Sequence, residues 1–121
     1  MLTIDSTNRI TMINGDTAYI NVTVDNYTFV DGDRVTITVA ETPAYRVASI
    51  CKTITKGDSD TTNGYFNEDG SCTFIFQPGD TALLAAGSYV FDVQLNLVDG
   101  RVDTIIGPST LTIIQGITKL K

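Results

Sequence analysis

The chain has 121 residues, enough for one hydrophobic core and too few for two ordinary domains. Its 42 % apolar content argues against a disordered chain, and no histidine is present to serve as a neutral-pH general base or metal ligand. The net charge is −6 and the eight Lys and Arg never cluster, which argues against nucleic acid and anionic membranes as partners.

Thirteen Ile, ten Val and nineteen Thr are branched at Cβ, a bias that suits pleated sheets over helices. All-β is therefore the expected class, with one domain over 1–121. The N-terminal Met1-Leu2-Thr3-Ile4-Asp5 lacks both a basic n-region and an apolar h-region, so neither a signal peptide nor secretion is expected. No apolar run approaches the length of a membrane-spanning helix. Residues 1–8 are polar without a period and are expected to form a loose lead-in. Residues 9–13 read as a first strand, stopped by Asn14-Gly15-Asp16. In 17–24, Ala18, Ile20, Val22 and Val24 alternate against Tyr19, Asn21 and Thr23, so Asn14-Gly15 is either a hairpin or a tight corner.

Residues 25–29 have loop composition, Asp31-Gly32-Asp33 is a turn, and 34–40 form a third strand with Val35, Ile37 and Val39 inward. Pro43 lies just beyond its end. Residues 46–55 are β-branched, but Lys52 falls on the face of Ile50 and Ile54, which marks an edge strand or a bulge. Residues 56–64 carry no apolar side chain and should be the longest exposed loop. Tyr65-Phe66 begins another strand, and 71–77 is a strand with Cys72, Phe74 and Phe76 inward. Residues 78–87 hold the one helical piece, a short turn near 79–85 with Asp80 or Thr81 as cap and Gly87 as its end.

The chain is organised around 87–97. Tyr89, Phe91, Val93, Leu95 and Leu97 lie on one side, and Ser88, Val90, Asp92, Gln94 and Asn96 on the other. Asp99-Gly100 then gives a strong hairpin signal. The strand starting at Val102 is expected to break at Gly107-Pro108, with 110–114 as a last strand and 116–121 as a tail. About eight short antiparallel strands with turns every 8–12 residues describe a sandwich or a small barrel, and the length favours a sandwich. Gly87-x-Tyr89-x-Phe91 has the spacing of the tyrosine corner of an immunoglobulin-like β-sandwich, with Phe91 in place of the second core cysteine. An ordinary Tyr on an apolar face explains it equally well.

Chemistry is sparse. Cys51 and Cys72 have no His partner and no zinc-ligand spacing, and their opposed parities favour two free thiols over a bridge. Most carboxylates sit in turns, so no catalytic residue is assigned and no enzyme activity is expected. Asp31, Asp33, Asp58 and Asp60 are weak calcium candidates, since turn-forming aspartates explain both stretches more simply. No cofactor is expected.

The residues from Pro78-Gly79-Asp80-Thr81 through Gly87-Ser88-Tyr89-Val90-Phe91-Asp92-Val93-Gln94-Leu95, the Asp99-Gly100-Arg101-Val102-Asp103-Thr104 hairpin and Leu111-Thr112-Ile113-Ile114 form a pattern, with Asn14-Gly15-Asp16-Thr17 as its early part. Over roughly 9–118 this pattern resembles the small immunoglobulin-like domains encoded in tail and baseplate gene clusters of phages and prophages of Gram-positive bacteria. The N-terminal domain of upper baseplate proteins is one relative of this kind. The resemblance implies a non-enzymatic virion component assembled in the host cytoplasm, whose partners are other tail or baseplate proteins or further copies of itself. No catalytic or ligand residue carries over. Lys52 and the tail after Gly116 are contact candidates. The alternative is a carbohydrate-binding or adhesive module of a bacterial surface protein, stacking sugars on Tyr19, Tyr27, Phe29, Tyr45 or Tyr65, with calcium at 31–33 or 58–60.

Overall fold

The computed structural model describes residues 2–4, 10–24, 27–42, 49–82 and 84–115. Nine strands are present among them: β1 (Leu2–Ile4), β2 (Ile10–Ile13), β3 (Ala18–Val22), β4 (Arg34–Ala40), β5 (Ile50–Thr55), β6 (Gly64–Phe66), β7 (Cys72–Phe76), β8 (Gly87–Asn96) and β9 (Val102–Ile114). They form a six-stranded sheet in the order β1-β2-β9-β8-β4-β5 and a three-stranded sheet in the order β3-β7-β6. Alternation decides which side chains meet between the sheets. Val35, Ile37 and Val39 of β4 and Phe91, Val93 and Leu95 of β8 point inward, against Ile20 and Val22 of β3 and Phe74 and Phe76 of β7.

This is an immunoglobulin-like sandwich. The small sheet takes the B-E-D places and β9-β8-β4-β5 the G-F-C-C′ places of that architecture. The Tyr89 hydroxyl donates to the Ala85 carbonyl at 2.8 Å, which is the tyrosine corner that the spacing suggested. Phe91 is buried in the cysteine place, lining a small, partly open gap with Ile20 and Val22. The β8–β9 hairpin forms as expected: Gly100 closes a three-residue turn at φ 94°, with the Leu97 amide donating to the Arg101 carbonyl. Asn14-Gly15 proves to be the corner between the sheets, since β2 lies in one and β3 in the other.

Several expectations need correction. There are nine described strands, and β2 runs parallel to β9. Leu2–Ile4 lies in the expected lead-in, yet it pairs antiparallel with β2. Pairing is a backbone property and needs no apolar period once a neighbour offers an edge. The rest of the lead-in, Tyr45, the 46–48 start of the expected strand and the 116–121 tail lie outside the described residues. Strand β9 does not break at Gly107-Pro108. Its register with β8 slips between Phe91 and Gln94, so that Pro108 sits in a bulge. On its other side the pairing of β9 with β2 starts at Leu111, so among the described residues Pro108 interrupts no ladder there. The helix is a single turn, Pro78–Thr81, started by Gln77, and Gly87 opens β8 instead of ending a helix.

Candidate functional site

One end of the sandwich is knitted together by a single carboxylate. Asp33 follows the Asp31-Gly32 turn and is fully buried just before β4. Its side chain accepts hydrogen bonds from the Tyr27 hydroxyl (2.5 Å), the Val30 amide (2.9 Å) and the Val98 amide (3.0 Å). Its carbonyl accepts from the Lys56 amide at 2.8 Å, and Gly32 donates to the Lys56 carbonyl at 2.9 Å. Three chain segments, 27–33, 56–57 and 97–101, are thereby held in one arrangement. Burial alone would raise the Asp33 carboxyl. The bonds from Tyr27, Val30 and Val98, with the Arg101 charge nearby, outweigh it and hold the carboxyl below its ordinary value. Tyr27 is pushed up in turn, first by its bond to Asp33 and then by burial. Tyr27 and Phe29 meet edge to face at 5.3 Å, Phe29 and Phe66 at 4.9 Å, and the Lys56 ammonium stands 5.5 Å from the Phe66 ring.

This arrangement bears on several candidates. Asp33 is a structural anchor whose oxygens are already engaged, so it is no exposed calcium ligand. Tyr27 is half-buried and Phe29 buried, which removes both as sugar platforms. Asp31 is exposed. Asp58 accepts from the Asp60 amide, and Asp60 accepts from the Thr62 amide and hydroxyl, the local bonding expected of turn aspartates. Among the described residues no three His, Cys, Asp or Glu side chains are grouped to hold a metal ion. Beside the anchor, Thr23, Tyr27, Arg101, Asp103 and Thr104 line a polar cleft of about 440 Å³.

Lys52 points inward from β5. It is 7 % exposed, its Nζ lies 2.7 Å from Asp80 Oδ2, and it stands 5.9 Å from the Phe76 ring. Asp80 also accepts from the Gln77 amide at the start of the helical turn. Lys52 is therefore a lock between β5 and the β7–β8 connection, and not a surface contact. Of the two readings of 46–55, edge strand or bulge, the described part Ile50–Thr55 is the edge, since β5 ends the six-stranded sheet. An inward charge on such a strand guards the edge against pairing with another chain. Cys51 is exposed on the opposite face of β5, Cys72 is in the core, and both thiols are free, as their parities indicated. Burial pushes the Cys72 thiol up to about 12.

The larger sheet presents its outer face to solvent. It presents Thr11 and Ile13 from β2, Arg34, Thr36, Thr38 and Ala40 from β4, and Cys51, Thr53 and Thr55 from β5. From β8 come Ser88, Val90, Asp92, Gln94 and Asn96, opposite Thr110 and Thr112 of β9. Thr36 and Thr53 share a hydrogen bond across strands at 2.9 Å. Arg34 and Asp92 are the charged residues at these outward strand positions. Among the described residues neither has a hydrogen-bond or ion-pair partner. On the three-stranded sheet, Tyr19 (54 % exposed) and Tyr65 (39 % exposed) stand on the outer face. Between them, Thr73 donates to Asn21 and accepts from the Asn67 amide.

Sequence reasoning missed the Asp33 anchor and the charge-poor face. The first had a signal, an Asp immediately before a strand after an Asp-Gly turn. The second required the strand order.

No protein-family model matches the chain, and no curated protein matches it. Among solved structures, a protein proposed to be a glycoside hydrolase from Bacteroides vulgatus is similar at 16 % identity and a TM-score of 0.46. The match covers 88 % of this chain and 16 % of that one. The extracellular domain of the voltage-gated sodium channel β4 subunit, described as forming parallel homodimers that explain its role in cell–cell adhesion, is similar at 12 % identity and a TM-score of 0.41. That match covers 97 % of this chain and 98 % of that one.

Proposed function

We propose that the chain is a non-enzymatic assembly module that works through protein–protein contacts. The observation that carries this reading is the outer face of the six-stranded sheet. Interface centres are depleted in charge, and this face holds only Arg34 and Asp92 at its described strand positions in a chain with 22 charged residues. In its finer form the proposal is a tail or baseplate component of a phage-like particle, assembled in the cytoplasm of a bacterial host. The corner-and-hairpin pattern from Gly87 to Thr104 supports that form through its resemblance to such domains. The test is gradient sedimentation of particles from an induced culture of the source bacterium, with an antibody against the chain. Co-sedimentation with tailed particles, and tailless particles after deletion of the gene, are the expected results. Recovery only among small soluble proteins would sink the particle reading.

A second reading is favoured by Tyr19 and Tyr65, two exposed rings on one sheet face, with Thr73 beside Tyr65 and hydrogen-bonded to Asn21. Such a face suits stacking on sugar rings in an adhesive module. Affinity electrophoresis against a panel of bacterial polysaccharides tests it: retardation should vanish in Tyr19→Ala and Tyr65→Ala, and no retardation by any glycan removes it.

A further inference from the structure

We infer that the outer face of the six-stranded sheet is a self-association surface that receives a second copy of this chain, related by a two-fold axis that brings Arg34 of each copy onto Asp92 of the other. The inference rests on the interaction-module reading and names its surface and partner.

The two charges carry it. Arg34 opens β4 and lies beside Asn96 of β8. Asp92 lies beside Thr38 of β4, four residues further along the same strand, and in line with the bulge at Pro108. They are thus separated by about 14 Å along the strands and about 4.8 Å across them. That is too far for an ion pair within one copy, and neither finds another partner among the described residues. Between them lie Thr36 and Gln94, register partners at the middle of the face. A two-fold axis in the plane of the interface and passing over this pair maps each Arg34 onto the position of the other copy's Asp92. An isologous contact needs such self-complementarity, because each residue meets its counterpart's partner. Two opposite charges placed symmetrically about an uncharged centre supply it.

Chemistry and size fit a weak contact. The axis over Thr36 and Gln94 overlaps β9-β8-β4-β5 of the two copies over a few residues each, a projected area of roughly 330 Å² at about 3.4 Å per residue and 4.8 Å per strand, well below the ~800 Å² per partner of a standard interface. The net charge of −6 would oppose association through the acidic turns. This face avoids that repulsion because its own two charges cancel. Asn96 Nδ2 donates to Gln94 Oε1, which leaves the Gln94 amide nitrogen and the Asn96 carbonyl oxygen near the centre of the face to bond across the interface.

Sedimentation equilibrium over about 1 µM to 1 mM tests the inference, since that span covers weak and firm dimers. The wild-type chain should dimerise, and more weakly at high salt, because rim ion pairs are screened. Arg34→Asp and Asp92→Arg should each weaken the dimer at least about tenfold, and the double variant should recover to within about threefold. Circular dichroism checks that each variant is folded. Should a reversal impair folding, the milder Arg34→Gln and Asp92→Asn replace it, each expected to abolish most of the salt dependence. Single variants that dimerise like the wild type, or a double variant that fails to recover, would overturn the inference. A wild-type monomer at every concentration would also overturn it, while leaving the module reading to stand on a different partner. The particle-sedimentation experiment fails or succeeds separately.

Discussion

The Tyr27 hydroxyl donates a 2.5 Å hydrogen bond to Asp33, a carboxylate with no exposed surface. Asp33 in turn reaches the Val98 amide of the β8–β9 turn, 65 residues away. One side chain thus couples the segment before β4 to the hairpin around which the chain is organised. Asp33→Ala leaves the Tyr27 hydroxyl and two amides without their acceptor. It is expected to cost about 3 kcal/mol in urea unfolding, more than any single surface substitution on the same loops.

The same anchor sets the stability at both ends of the pH scale. The folded Asp33 carboxyl is held below its ordinary 3.8, so its contribution is complete above that value and is lost as pH falls through the lower, folded value. The folded Tyr27 is raised above 10.0, so its contribution is complete below 10.0 and is lost as pH rises through the higher, folded value. Unfolding midpoints recorded against pH should show both losses. Asp33→Asn should flatten the acid limb, and Tyr27→Phe the alkaline limb.

Tyr89→Phe keeps the ring in the core and removes only the bond to the Ala85 carbonyl. Its expected cost is about 1 kcal/mol, read by chemical denaturation, with no change in the dimer constant because Tyr89 faces inward.

Lys52→Met replaces the inward ammonium by an apolar chain of similar length. Either Lys52→Met or Lys52→Ala leaves Asp80 without its cation, but Met keeps the packing of the lysine stem, so it should cost less than the about 2 kcal/mol expected for Ala. The Met variant loses the edge guard of β5 and should scatter light on prolonged incubation, where the wild type stays clear. A clear Met variant would show that the edge is protected by other means.

The two thiols should separate cleanly. Cys51 is exposed and Cys72 fully buried with its thiol pushed up to about 12. A disulfide titrant should react with one thiol per native chain and with two after unfolding.

What the sequence alone determined was what depends on neighbours in the chain. The inward set Tyr89, Phe91, Val93, Leu95 and Leu97, the Asp99-Gly100 turn and the opposed faces of Cys51 and Cys72 all follow from a period of two or from one residue's allowed φ. The inward position of Lys52 was legible in the same way, although its role was not, because Asp80 lies 28 residues away on another element. Tertiary structure decided the rest. Pro108 fits inside β9 only because a bulge against β8 takes it up, and Leu2–Ile4 becomes a strand only because β2 offers an edge. Asp33 reads as a turn residue until folding brings the Val98 amide to it. The charge-poor face exists only once the strand order sets β4 beside β8, for a surface is a sum over strands whose adjacency no local pattern encodes.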